Sequence, residues 1–235
     1  FLTLSYNFKN IRSLAIQNGD RPKYTLINNS FYETYFSFGN YEKKLFKKNK
    51  EKIKKCIPVG SFYGSNDDNK KLLSLRNFYD ICLISQYNSN IIYSDKITKL
   101  QLNSIDLMNK FVSKLQRKKK FKICILLREN TTNEIYFFKK YFNESKNCIF
   151  IKTTKNVNSY EYICRSKISI AFSSTMIKEA WIYKKKAFYM DFTDTNYFNE
   201  NIQNILLFNK KDINYFYKFF INIYLMNKKK YQKLT

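Results

Sequence analysis

From Tyr79 onward, short runs that are apolar throughout alternate with longer segments whose apolar residues return every three or four positions. DICLISQ (80 to 86) reads as a buried strand, and 95 to 116 as a helix with Ile97, Leu100, Ile105, Met108, Phe111 and Leu115 on one face. FKICILLR (121 to 128), CIFIKT (148 to 153), KISIAFS (167 to 173), KAFYMDF (186 to 192) and NILLFN (204 to 209) continue the strand series. NEIYFFKKYF (133 to 142), SYEYICRS (159 to 166) and a segment starting near Thr175 supply helices between them. Strands apolar on both faces and joined by helices predict a parallel sheet covered on both sides.

Residues 1 to 65 repeat this grammar less completely. SLAIQNG (13 to 19), a strand at TYFSFG (34 to 39), a helix over NYEKKLFKKNKEK (40 to 52) and a strand at KCIPVGS (55 to 61) read as the closing part of another α/β domain. Polar FYGSNDDNKK (62 to 71) has the composition of a linker. The fold class expected is α/β, with two Rossmann-like parallel-sheet domains facing a cleft and the first one incomplete. The first domain covers 1 to 65, the second 66 to 210, with ligand at the carboxyl ends of the strands. Residues 211 to 235 then form a C-terminal helix, aromatic over 212 to 234, that packs back across the domains. Tyr and Phe flanked by lysines also suit an interfacial helix on a membrane.

Composition narrows the chemistry. With 235 residues, 44% of them hydrophobic, the chain can bury real cores. It contains no histidine, which removes Ser-His and Cys-His nucleophile pairs and imidazole bases from it. Cys56, Cys82, Cys124, Cys148 and Cys164 lack paired spacing and mostly sit in apolar runs, so they read as reduced core thiols rather than disulfides or a metal site. No apolar run approaches 18 residues, and a cytoplasmic protein, in contact at most with the inner face of a membrane, is expected. The chain begins with Phe1 rather than Met, which predicts further sequence upstream. A net charge of +25 would suit a polyanion. Lys, Asn, Ile, Phe and Tyr are inflated together, however, and the lysines gather at 47 to 55, 117 to 120, 184 to 186 and 228 to 230, at the ends of predicted elements. Solvated faces explain most of that charge, and nucleic acid is not an expected partner because the aromatic and basic residues do not interleave as in RNA-binding surfaces.

One stretch concentrates candidate chemistry. In SIAFSSTMIKEAWIYKKKAFYMD (169 to 191) a buried strand ends in Ser173, Ser174 and Thr175 just where a helix starts, and Glu179 follows Thr175 by one turn. The residues fit two readings. Small hydroxyl residues at a helix N-terminus can hold an anion, with a carboxylate one turn on to accept ribose hydroxyls. They equally make an N-cap with a glutamate complementing the helix dipole.

The same stretch resembles the donor-binding segment of GT-B glycosyltransferases, in which a small-residue turn leads to a helix carrying Glu-Ala, a basic or glycine turn, and an apolar strand. LAIQNG (14 to 19), YFSFGNYEKKLF (35 to 46), CIPVGSF (56 to 62) and YDICLISQY (79 to 87) are similar, in order, to segments of GT-B-like surface carbohydrate biosynthesis proteins of bacteria. The resemblance implies a metal-independent transferase without a cofactor, which moves a sugar from a nucleotide-sugar donor to a glycan or lipid-linked acceptor. It implies that Ser173, Ser174, Thr175 and Arg128 meet the donor diphosphate and that Glu179 holds the ribose. Gln86 and Tyr87, and on the acceptor side or hinge Asn18, Gly19, Gly60 and Ser61, would line the cleft. For Arg128 an ion pair with Glu129 or Glu134 is the competing role, and for the glycines simple turn formation. No residue present is assigned as the catalytic base. The turn here is FSST, and the lysine turn at 184 to 186 lacks the glycine many relatives carry. LLREN (126 to 130) is also similar to the nonhydrolysing UDP-sugar 2-epimerases of the same fold, which place a histidine where this chain has Leu127. The alternatives are therefore an epimerase or a polyol-phosphate transferase of that fold, or a non-catalytic basic protein that binds RNA or an anionic membrane.

Overall fold

Every strand predicted within the described residues forms, and all pair in parallel with their neighbours. The computed structural model describes residues 12–17, 31–48, 52–60, 68–88, 96–154, 158–195 and 206–234. The chain divides into two compact units, Phe1–Asn66 with Asn196–Asn201 and Asp67–Thr195 with Ile202–Thr235.

In the first unit, β1 (Leu14–Ile16), β2 (Phe31–Ser37) and β3 (Lys52–Pro58) form a parallel sheet in that order, with helix α1 (Asn40–Lys48) between the last two. Glu42 organises the entry to α1. Its buried carboxylate accepts hydrogen bonds from Gln17 Nε2 at 3.0 Å and from the Gly39 amide at 3.2 Å. Gln17 Oε1 in turn accepts from the Phe38 amide at 2.7 Å, which ties the end of β1 to the turn after β2. Tyr35, Leu45 and Phe46 fill the core beneath, with the Tyr35 and Phe46 rings edge-on at 4.9 Å. The helix expected over 40 to 52 is shorter than its composition suggests, because β3 already pairs with β2 from Lys52, opposite Phe31. A run of lysines is compatible with either state, and ladder pairing decides it.

The second unit holds six parallel strands in the order β6-β5-β4-β7-β8-β9: β4 (Tyr79–Ile84), β5 (Ile123–Leu126), β6 (Cys148–Ile151), β7 (Ser166–Ala171), β8 (Lys186–Met190) and β9 (Leu207–Phe208). In chain order that is 3-2-1-4-5-6, the arrangement of doubly wound nucleotide-binding sheets. The order of the strands reverses between β4 and β7, so the crevice of such a sheet opens at their carboxyl ends. Helices α2 (Asp68–Leu73), α3 (Lys96–Lys119), α4 (Thr132–Lys139), α5 (Ser159–Cys164), α6 (Thr175–Ile182), α7 (Ile213–Leu225) and α8 (Lys228–Gln232) complete the unit. Within the segment read as linker, α2 forms, a helix too short to show an apolar period.

Burial follows the apolar runs. Ile81 to Leu83, Ile123 to Ile125 and Ala187 to Met190 are wholly inaccessible, and α3 buries Ile105, Met108, Phe111, Val112 and Leu115. Cys82, Cys124, Cys148 and Cys164 are buried free thiols, and Cys56 is half-buried. Burial, chiefly, pushes Cys148 up to about 12 and Cys164 to about 11, so both stay protonated and inert as nucleophiles at neutral pH.

The single C-terminal helix expected over 212 to 234 is two. Asp212 caps α7 through the amides of Asn214 at 2.7 Å and Tyr215 at 3.2 Å. At Met226 ψ opens to 137°, and Asn227 starts α8 by accepting from the Lys229 amide at 2.8 Å. Phe216, Phe220 and Ile223 of α7, three and four residues apart, are buried. Their aromatic neighbours include Phe111 at 5.7 Å from Phe216, Phe121 at 5.7 Å from Phe220 and Phe208 at 5.4 Å from Phe216. Among the described residues no helix is long and apolar enough to cross a membrane. Tyr231 of α8 locks this end: its hydroxyl accepts from the Ala187 amide at 2.9 Å and Trp181 Nε1 at 3.1 Å, and donates to the Ala187 carbonyl. Trp181 Nε1 also donates to the Ala187 carbonyl at 2.9 Å, so Tyr231→Phe strands the buried Ala187 amide alone and is expected to cost about 1–3 kcal/mol, read from the urea midpoint of unfolding.

Candidate functional site

The register of the second sheet lines up residues from three strands. Ile84, Leu126 and Ala171 lie level across β4, β5 and β7, as the pairs Ile84 with Leu126 and Leu83 with Ile170 fix. Two residues beyond that row stand Gln86, Arg128 and Ser173. Neighbouring parallel strands are about 4.8 Å apart, so these residues share one edge within about 10 Å, on either side of the β4/β7 reversal.

The turn after β7 is built as a cap. Ser174 has extended backbone (φ −153°, ψ 133°), and its hydroxyl accepts from the Met176 amide at 3.3 Å. Its carbonyl accepts from the Ile177 amide at 3.1 Å and from the hydroxyl of Tyr189 on β8 at 3.0 Å, which pins the turn to the sheet. The hydroxyls of Ser173 and Thr175, both half-buried, make no hydrogen bond among the described residues. The cap reading of this stretch is therefore realised, with the Met176 and Ile177 amides taken by Ser174, and beside it the hydroxyls of Ser173 and Thr175 stay available to an anion at the N-terminus of an eight-residue helix. Ser174→Ala is expected to cost about 1 kcal/mol by loss of the cap, measured as a fall in thermal stability.

Glu179 sits one turn further along α6, about 6 Å up the helix from Thr175. It is only 6% exposed, and the hydroxyl of Tyr160 on α5 donates to its Oε2 at 2.9 Å. Burial holds its carboxyl above the usual range, and the Tyr160 bond only partly offsets this. A buried carboxyl with one protein donor retains unfilled acceptor capacity. Asp191, past the end of β8, is the other carboxyl here raised by burial, although the amide and hydroxyl of Thr193 donate to it at 2.9 and 2.7 Å.

Around Arg128 the structure places a residue whose role the sequence reading missed. Glu134 is completely buried, and its carboxylate accepts from the amides of Arg128 at 2.8 Å, Glu129 at 2.9 Å and Asn130 at 2.8 Å, and from the Ser85 hydroxyl. Asn130 adopts φ 59°, which turns successive amides toward the one anion. Its side chain then fixes the loop to β6 through the Thr153 amide at 2.8 Å and the Thr153 carbonyl at 2.6 Å. The ion pair considered between Arg128 and Glu134 does not form, because the carboxylate is consumed by backbone amides and Ser85, and Arg128 is exposed. Thr131 and Glu134 carry the spacing of a capping box, and the Thr131 hydroxyl does accept from the Glu134 amide at 3.2 Å. That spacing was the available signal, but the carboxylate reaches past the helix start into the preceding loop.

Gln86 donates to the Ser85 carbonyl at 2.8 Å, and the Tyr87 amide donates to the Ser85 hydroxyl at 3.1 Å. The Tyr87 ring lies 5.5 Å from that of Phe137. Ser85 thus links the turn after β4 to the Glu134 loop after β5. In the first unit Gly60 follows β3 with φ +81°, a backbone that L side chains rarely adopt, and open space surrounds it. Asn18, Gly19 and Ser61 lie outside the described residues. Among the described residues no cluster of three or more potential ligands could hold a metal ion.

No protein-family model matches the chain, and no curated protein matches it. Solved structures do. The "S. aureus MnaA-UDP co-structure" is 11% identical, with 99% of this chain aligned to 65% of that one at a TM-score of 0.59. UDP-GlcNAc 2-epimerase from Neisseria meningitidis, bound to UDP-GlcNAc, is 13% identical, with 99% aligned to 66% at 0.60. The corresponding protein of Methanocaldococcus jannaschii is 10% identical, with 96% aligned to 67% at 0.58. The fold is GT-B-like. Its Rossmann-like parallel sheets match those of nucleotide-sugar enzymes, and the chain spans about two thirds of the length of these structures.

Proposed function

We propose that the second unit binds the nucleotide diphosphate of a UDP-sugar at the carboxyl edge of its sheet, and that the chain serves an enzyme inverting a stereocentre of that sugar. The observation that carries this reading is the convergence of Gln86, Arg128 and Ser173 at the β4/β7 reversal, with Glu179 one helical turn above. The first turn of α6 and the hydroxyls of Ser173, Ser174 and Thr175 meet the diphosphate, and Arg128 adds a full positive charge. The amides after β5 are filled by Glu134, so in that loop only the side chain of Arg128 serves the ligand. Glu179 accepts the ribose hydroxyls, which explains why a carboxylate is kept where burial opposes its charge. Likeness in fold to UDP-GlcNAc 2-epimerases supports UDP as the nucleotide and epimerisation as the reaction.

Glycosyl transfer to a surface-carbohydrate acceptor is the second reading, and a specific observation favours it. Leu127, immediately before Arg128, is 1% exposed and packed in the core, and the chain has no histidine. No proton-transferring group stands at that position. Incubating the protein with UDP-GlcNAc alone and following the sugar ring by NMR separates the two. Appearance of the C2 epimer without acceptor supports epimerisation. Sugar release only in the presence of an acceptor supports transfer, and absence of UDP binding contradicts both.

A further inference from the structure

At the opposite, amino-terminal edge of the same sheet lies a cavity of about 300 Å³, lined by the starts of β7, β8 and α8 and the ends of α6 and α7. Five lysines converge on it: Lys167, Lys184, Lys185, Lys186 and Lys228. Protein groups compensate only part of this charge. Lys167 is paired with Asp80 at 2.9 Å, and the same carboxylate accepts from the Tyr224 hydroxyl at 2.6 Å. Lys186 donates to the Tyr224 carbonyl at 2.7 Å, and Lys185 to Asn77 Oδ1 at 2.9 Å, both neutral partners. Each helix C-terminus adds roughly half a negative charge. Against five ammonium groups, one carboxylate and two helix C-termini leave about three positive charges unbalanced, and the N-terminus of α8 at Lys228 adds to them. The ammonium groups of Lys184 and Lys228 have no hydrogen bond or ion pair among the described residues.

Two details mark this charge as more than a solvated helix end. Lys184 occupies φ 55° at the turn that closes α6, a position glycine or asparagine ordinarily fills, so a lysine stands there against backbone preference. Lys185 is only half-exposed, and burial together with the nearby Lys228 ammonium holds its amine below the usual lysine range. Like charges held together out of bulk water repel unless an anion joins them.

We infer that this cavity is a phosphate-binding site, distinct from the nucleotide site at the other end of the strands. Its volume, at the lower end of ligand pockets, accommodates a phosphomonoester or diphosphate group, and lysine ammonium groups recognise such groups as point charges. The phosphate comes either from a soluble polyphosphate or from the headgroup of an anionic phospholipid.

The test uses pyrophosphate and vesicles with the chain and a K184G/K228Q variant. Lys184→Gly restores the residue the turn favours, and Lys228 is exposed, so the variant folds and binds UDP as the parent does. Calorimetry at saturating UDP is expected to show sub-millimolar pyrophosphate binding that weakens at least tenfold in the variant and falls with added salt. Co-sedimentation with vesicles of phosphatidylglycerol and phosphatidylcholine, against phosphatidylcholine alone, identifies the source. Variant-sensitive binding to the anionic vesicles assigns the lipid headgroup, and variant-sensitive binding of pyrophosphate alone assigns a soluble phosphate. Absence of binding to both, binding that the variant leaves unchanged, or pyrophosphate binding abolished by UDP overturns the inference.

Discussion

Replacing Glu134 with alanine lowers the stability of the second unit by about 3–5 kcal/mol and its melting temperature by about 10 °C. The magnitude follows from what the carboxylate satisfies. Three consecutive amides and the Ser85 hydroxyl converge on it with no exposure to water, and each buried donor left unpaired costs about 1–3 kcal/mol. Relaxation of the loop recovers some of the sum, which is why the total stays below the simple addition. Glu134→Gln keeps the volume but turns an amide donor toward N–H groups, and is expected to lose nearly as much. Urea unfolding followed by circular dichroism reads both variants. A loss below about 1 kcal/mol for Glu134→Ala would mean that the nest is solvated rather than structural.

The second large effect falls on ligand rather than fold. Glu179→Gln is expected to weaken UDP binding about 10- to 100-fold, since a hydrogen bond to a charged group contributes about 1.5–3 kcal/mol and 1.4 kcal/mol is tenfold. The same substitution stabilises the free protein at neutral pH. The sign follows from the raised carboxyl: the folded state prefers the protonated form, so this group favours folding fully below its unfolded value of 4.5 and less as pH rises through the higher folded value. Glutamine carries no such dependence. Melting temperatures of the two proteins therefore converge in acid and separate above it, with the variant higher. Tighter or unchanged UDP binding in the variant removes Glu179 from the nucleotide site.

The parallel sheet was legible because its strands are buried on both faces, so that CILL or AFYM announces itself without any alternation. What composition left open was decided by partners far away in sequence. Lys52 reads as the end of a lysine-rich helix and becomes a strand only by pairing opposite Phe31. The break at Met226 lies inside a continuous aromatic and lysine pattern, and is visible only as Asn227 caps a new helix. Ser173, Ser174, Thr175 and Glu179 could be selected as a group because helix spacing relates them directly. That Gln86 and Arg128 share their edge of the sheet depends on strand order, which periodicity does not encode. The role of Glu134 escaped notice for a related reason: an acid at the third position of a helix has an ordinary capping role, and its reach to Arg128, Glu129 and Asn130 requires the left-handed turn at Asn130.

Nucleotide binding at the carboxyl edge is tested most directly by amide hydrogen exchange of the chain with and without saturating UDP. Slowed exchange confined to residues 85–88 and 172–179 is the expected result. Unchanged exchange in both segments, or protection limited to the lysine cavity around 184–186, would contradict it.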